Sequence, residues 1–234
     1  VSQLIRRIEQ VRERVTRAAH AAGRAPEAVR LLPISKTFPA EAVLEAARAG
    51  LDAFGENRVQ EAARKIPQVR AADGAELEWH LVGPLQRNKA RTAVELFHVI
   101  QSVDRIELAL ALERAAAALG KCQRILLNVN IDEEPQKSGV LPADLTELLA
   151  RIDALPHLEP LGLMSIPRRR THAEELRPCF ARLRGLQEEL NRGRSKARLS
   201  ELSMGMSADF EVAIQEGATC VRIGTAIFGA RRSK

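Results

Sequence analysis

The chain has 234 residues, 45% hydrophobic and 28% charged, which is the composition of a globular protein able to bury a full core in one large domain or two small ones. Its formal net charge of +6 points to anionic partners such as phosphate groups or nucleic acid. Only 3% of residues are aromatic and tyrosine is absent, which argues against the stacking platforms of single-strand nucleic-acid binders.

Leu4, Ile8, Val11, Val15, Ala18 and Ala22 recur at helical spacing, and Gly23 and Pro26 end that helix. It precedes the first strand and reads as an added outer helix. Residues 29–37 are mostly apolar, lie between Pro26 and Pro39, and read as a buried strand with Lys36 at its exit. Pro39 opens a helix that stops at Gly50. The pattern then repeats. A strand over 51–55 leads through Glu56 and Asn57 into a helix to about Lys65. Strands follow over 77–83, holding Trp79 and His80, and over 96–100, before an alanine-rich helix over 104–119. A fifth strand spans 125–131, and the polar loop 132–139 leads to a helix from near Pro142. Residues 158–166 and 199–203 are the sixth and seventh strands, with helices over 173–191 and from near Ser207. Residues 220–223 are the eighth, and a closing turn runs over 226–230.

Strands alternating this regularly with helices imply parallel pairing. About eight such units in this length indicate an α/β chain folded as a (β/α)8 TIM barrel with an extra N-terminal helix; a doubly wound sheet is the alternative. No Pro/Gly/Ser-rich linker divides the chain, so a single domain over 1–234 is expected.

In a barrel the strand ends converge on one face, which makes Lys36, Asn57, His80, Ser203, Ser207 and Arg222 neighbours. A lysine at a strand exit is most often a solvated charge, but one that is partly desolvated loses its proton more easily and attacks aldehydes. The segment Ser203-Met204-Gly205-Met206-Ser207 joins strand seven to its helix. Gly205 permits a tight turn, and Ser207 is placed to cap the helix, whose exposed N–H groups attract phosphate. Simple capping is the competing explanation. Gly224 and Thr225 supply a second small-residue turn after strand eight, and barrel phosphate sites are built by the loops after strands seven and eight. An amine and a phosphate cradle at one rim suit a phosphorylated aldehyde, of which pyridoxal 5′-phosphate is the obvious case. Arg222 then lies near the pyridine ring. Cys122, Cys179 and Cys220 form no CxxC pair, and His20, His80, His98, His157 and His172 lack metal-ligand spacing. No signal peptide or membrane span is visible, and a cytoplasmic protein is expected.

These residues also carry a family resemblance. Ser35-Lys36-Thr37, Phe54-Gly55-Glu56-Asn57, Trp79-His80, the stretch from Gly83 to Lys89, Gln136-Lys137-Ser138-Gly139, Gly162-Leu163-Met164, Ser203 to Ser207 and Val221 to Gly229 stand in the order seen in pyridoxal-phosphate homeostasis proteins of the YggS type. The chain resembles that family, a relative of the barrel domain of alanine racemase, over essentially its whole length. The resemblance implies that Lys36 forms the internal aldimine. It implies phosphate contacts from Ser207, Gly224 and Thr225, with Ser203, Met204 and Gly205 lining the site. It places Arg222 near the pyridine nitrogen and Asn57 and His80 in the pocket. Arg58 departs from the pattern, standing where relatives commonly have tyrosine.

Binding does not by itself decide activity. A cation beside the pyridine nitrogen disfavours its protonation and weakens the ring as an electron sink. Two-base racemisation also needs a second acid/base; the racemase relative uses tyrosine, which this chain lacks. His80 is a possible substitute, although a strand histidine is more often packed or hydrogen-bonded. The expectation is a monomeric carrier that buffers the cofactor and supplies it to pyridoxal-phosphate-dependent apoenzymes, with no nucleic-acid or membrane partner and little or no turnover. The alternatives are a racemase-like enzyme, a cofactor-free Schiff-base aldolase, and a nucleic-acid module using Arg168-Arg169-Arg170 and the tail 231–234. Lys137 is the rival amine, but its loop is acidic and should keep it protonated and paired.

Overall fold

The computed structural model describes residues 2–73 and 76–230. Eight strands alternate with helices: β1 (Arg30–Pro33), β2 (Ala53–Glu56), β3 (Glu78–Leu81), β4 (Val99–Val103), β5 (Gln123–Asn128), β6 (Leu158–Met164), β7 (Glu201–Met206) and β8 (Cys220–Ile223). The helices are α1 (Gln3–Ala21), α2 (Ala40–Arg48), α3 (Val59–Asp73), α4 (Ala90–Leu96), α5 (Ile106–Ala118), α6 (Leu145–Asp153), α7 (Arg177–Asn191), α8 (Phe210–Gln215) and α9 (Thr225–Phe228). The sheet order is β1-β8-β7-β6-β5-β4-β3-β2, with every pair parallel. A parallel bridge from Ile34 to Gly55 brings the two edges together, and Ser35 N–H donates to Gly55 O at 3.0 Å. The result is a nearly closed (β/α)8 barrel, which removes the exposed edges a doubly wound sheet would keep.

The strands are buried on both faces, as strands covered by helices must be. Alternate residues serve different cores. Phe54, Trp79, Leu81, Ile100, Ile125 and Leu127 belong to the large layer between barrel and helices. Residues of the other parity, including Leu32, Ala53, Val82, Val99 and Leu126, form two smaller apolar clusters. The buried polar side chains of His80, Gln101, Ser203 and Arg222 share that second parity.

Helix α1 is the outer helix expected from its periodicity. Ser2 caps it by accepting from Ile5 N at 3.2 Å, and Ile8, Val11, Val15, Ala18 and Ala19 are buried against α8 and α9. Arg12 reaches across to the end of α2, donating to the carbonyls of Ala49 and Gly50 at 3.0 and 2.7 Å.

Several boundaries differ from the sequence expectation. The first strand ends earlier: the ladder stops at Pro33 with its bridge at Ile34, and Lys36 sits in a turn. Helix α3 continues past Lys65 to Asp73. The seventh strand is shifted later, so Met204, Gly205 and Met206 are strand residues rather than loop. Ser207 does not cap the next helix; the N-cap position is Asp209, whose Oδ1 accepts from Met206 N at 2.7 Å. Gly205 does need its glycine, since it takes φ +89° and a Cβ there would lie 2.6 Å from Ala213 Cβ.

Candidate functional site

Parallel strands place all their C-terminal ends on one rim. Lys36 follows β1, Asn57 follows β2, Ser207 follows β7, and Gly224 and Thr225 follow β8. The β8 exit lies beside the β1 exit: a Cβ built on Gly224 would stand 3.7 Å from Ile34 O, two residues before Lys36. Ser207 Oγ accepts from Ala226 N at 3.3 Å, which ties the loop after β7 to the first turn of α9. Gly83, after β3, lies directly over Asn57, because a Cβ there would come within 2.1 Å of Asn57 O. Lys36 and the small-residue turns therefore share one end of the barrel. Arg58 is exposed, at the junction of β2 and α3.

Below this rim, a chain of polar side chains crosses the barrel. Arg222 Nη1 donates to Ser203 Oγ at 2.7 Å, and Nη2 donates to Ser165 O at 2.7 Å. Ser203 Oγ donates to Gln101 Oε1 at 2.6 Å. With its carbonyl oxygen so engaged, Gln101 presents its Nε2 to His80 Nδ1 at 2.8 Å. His80 Nδ1 is then an acceptor, and its Nε2 donates to Glu78 Oε1 at 2.6 Å. Arg30 and Arg124 also pair with Glu78. The His80 hydrogen bond and these cations hold the Glu78 carboxyl well below the usual carboxylate range. Burial lowers the pKa of Arg222, yet a guanidinium remains charged in proteins. A buried cation whose donors rest on a hydroxyl and a carbonyl suits an electron-rich ligand group. Both ring nitrogens of His80 are occupied.

The other half of the mouth holds a cavity of about 300 Å³ lined by Ser102, Asn128, Asn130, Lys137, Met164 and Ile166 among others. The buried hydroxyl of Ser102, which lines this cavity, has no hydrogen-bond partner among the described residues, which suits a polar guest there. Lys137 is paired as its acidic loop suggested, with Glu134 at 2.7 Å and Asp132 at 3.4 Å. Arg168, Arg169 and Arg170 are exposed in the loop after β6, and the tail 231–234 lies outside the described residues. No described helix is long and apolar enough to cross a membrane.

Comparisons with known proteins place the chain in a family. A family model described as the N-terminal domain of alanine racemase matches residues 7–232. A pyridoxal phosphate homeostasis protein of Pseudomonas aeruginosa is 47% identical over 231 residues, covering 99% of this chain and 97% of its own. The chain belongs to the pyridoxal phosphate homeostasis protein family. A second such relative, from Aquifex aeolicus, is 44% identical over 226 residues, with 97% of each chain covered. Among solved structures, PipY of Synechococcus elongatus PCC7942 with PLP bound matches at TM-score 0.85 and 41% identity, covering 97% of this chain and all of PipY.

Within this family frame, two groups of side chains stand out that single-residue reasoning did not single out. One is Gln101, which links His80 to Ser203 and through it to Arg222, with Glu78, which ends the chain on the far side of His80. Alternation along the strands places Glu78, His80 and Gln101 on one face, but only register aligns them with Ser203. The other is Glu56, Glu61 and Lys65, which contact the residues on either side of Lys36. Glu56 lies in the quoted Phe54–Asn57 motif, and its buried position is the signal that marks it.

Proposed function

We propose that this chain binds pyridoxal 5′-phosphate at the C-terminal mouth of the barrel and serves as a carrier and buffer of it, with little or no turnover. The observation that carries this reading is the shared rim: Lys36 and the Gly224-Thr225 turn leave adjacent strands side by side. When bound, the cofactor brings an aldehyde and a phosphate to that rim. Lys36 would supply the amine that takes up the aldehyde. Ser207, Gly224 and Thr225 would hold the phosphate with a hydroxyl and turn N–H groups and Gly205 would line the approach, whereas the expected lining by Met204 is limited to its backbone, its side chain being buried in the outer layer. Arg222, fixed through Ser203, would stand near the pyridine ring. Asn57 borders the pocket, and His80 supports Arg222 through Gln101. The carrier passes its load to cofactor-dependent apoenzymes in the cytoplasm and acts as a monomer.

The racemase reading has less support. Its missing tyrosine has no replacement in His80, whose ring nitrogens bind Gln101 and Glu78. The deciding experiment is to add pyridoxal 5′-phosphate, reduce with borohydride, and map the modified peptide. Modification at Lys36, with the visible absorbance band lost in Lys36→Ala, supports the proposal. Modification at Lys137 instead, or rapid formation of D-amino acids from L-amino acids, refutes it.

A further inference from the structure

The ladder that closes the barrel ends where Ser35 N–H meets Gly55 O. Helix α2 does not begin until Ala40. Lys36 lies between, in a turn where Thr37 takes φ +68°. That left-handed conformation is costly for a β-branched residue and persists only where the surroundings enforce it. One local bond helps: Phe38 N–H donates to Ser35 O at 3.0 Å.

Three ionisable side chains from the neighbouring β2/α3 unit grip the same turn. Ser35 Oγ donates to Glu56 Oε1 at 2.6 Å. Lys65 Nζ donates to Ser35 O at 2.7 Å, to Glu56 Oε1 at 2.6 Å and to Glu61 Oε1 at 3.0 Å. Thr37 N–H donates to Glu61 Oε1 at 2.5 Å. The residues before and after Lys36 are thus both anchored to one ionic cluster.

Such a cluster is a poor device for stability alone. Glu56 is fully buried and Lys65 nearly so, and a buried ion pair often stabilises no better than apolar side chains of the same volume. Glu56 Oε2 has no partner among the described residues, and burial pushes the Glu56 carboxyl up despite Lys65. What the three charges supply, and apolar side chains cannot, is a set of bonds to a carbonyl, an N–H and a hydroxyl flanking residue 36.

We propose that Glu56, Glu61 and Lys65 are positioning residues that hold the Ser35–Thr37 turn so that the Lys36 amine meets the cofactor aldehyde. This rests on the cofactor-binding reading above. In attachment, the neutral Lys36 nitrogen bonds to the aldehyde carbon, and the aldehyde oxygen leaves as water with the two hydrogens of that nitrogen. The step demands near-attack geometry between nitrogen and carbon; the grip on the phosphate does not. Loosening the turn therefore weakens covalent attachment selectively.

The test uses Glu56→Gln and Glu61→Ala. The second removes a partly exposed side chain and keeps the test valid if the buried variant does not fold. Two constants are measured for each: adduct formation with pyridoxal 5′-phosphate by absorbance, and binding of 4-deoxypyridoxine 5′-phosphate, which has the phosphate but no aldehyde, by calorimetry. The expected result is at least a tenfold loss of adduct with analogue binding within twofold of the parent chain. Parallel loss of both constants would assign the cluster a merely structural role and overturn the proposal, as would an unchanged adduct constant in Glu61→Ala. If the parent chain forms no adduct at Lys36, the cofactor reading itself fails and this inference falls with it.

Discussion

Arg222 Nη1 and Ser203 Oγ lie 2.7 Å apart in the middle of the barrel, and that bond begins a donor chain ending on Glu78. Ser203→Ala removes the link and leaves Arg222 Nη1 and Gln101 Oε1 short of a partner in a dry interior. An unsatisfied buried polar group costs about 1–3 kcal/mol, so a loss of that order is expected in urea unfolding. Gln101→Leu interrupts the same chain one step further on. The double variant should lose less than the sum of the two, because each single change already breaks the shared network.

The acid side of the stability profile follows from Glu78. Its folded pKa is depressed, first by the His80 hydrogen bond and then by nearby cations. An unfolded glutamate titrates near ~4.3. Below that value the unfolded chain binds the proton that the folded chain refuses, so the stabilisation present at neutral pH is lost as pH falls toward the folded value. Glu78→Gln should lower the urea midpoint at pH 7 and flatten its decline between pH 5 and 3. Glu56 acts with the opposite sign: burial raises its pKa, so its contribution is full below the unfolded value and fades as pH rises through the folded one. A midpoint that falls as steeply in Glu78→Gln as in the parent chain would remove Glu78 as the cause.

Much of the architecture was legible because β/α alternation is a local pattern. Strand residues buried on both faces read as short apolar runs, and each run in the sequence does contain or overlap a strand. The ends were less legible where packing overrides the local signal. Leu96 and Phe97 read as strand because they are apolar, but they close α4 and pack into the outer layer, so β4 starts at Val99. Lys36 and the Gly224-Thr225 turn could be placed on one rim from topology alone. The partners of His80 and Ser35 could not, since Gln101, Glu56 and Lys65 reach them only through strand register and the position of α3.

Ser207 should discriminate between phosphorylated and unphosphorylated ligands. Its oxygen accepts from Ala226 N, which leaves the hydroxyl hydrogen for an anion at the adjacent turn. A hydrogen bond to a charged group contributes about 1.5–3 kcal/mol, so Ser207→Ala should weaken pyridoxal 5′-phosphate binding by about 10- to 100-fold. Pyridoxal, lacking the phosphate, should bind the variant and the parent chain alike. Equal losses for both ligands in parallel calorimetric titrations would place the phosphate elsewhere.

Two glycines offer opposite outcomes from the same substitution to alanine. At Gly205, φ is +89°, and a Cβ would lie 2.6 Å from Ala213 Cβ and 3.0 Å from Phe210 Cα. Backbone strain of about 1–3 kcal/mol adds to an overpacking cost of similar size. For a chain of this length each kcal/mol shifts the melting midpoint by roughly 2–4 °C, so Gly205→Ala should lower it by about 4–24 °C. Gly185 lies within α7, and a Cβ there meets nothing within 4 Å. An alanine at that position suits the helix better by about 0.5–1 kcal/mol, and the midpoint should rise by a few degrees. Thermal melts of the two variants beside the parent chain check both signs, and a neutral Gly205→Ala would mean that α8 shifts freely and does not brace the strand beneath the Ser207 turn.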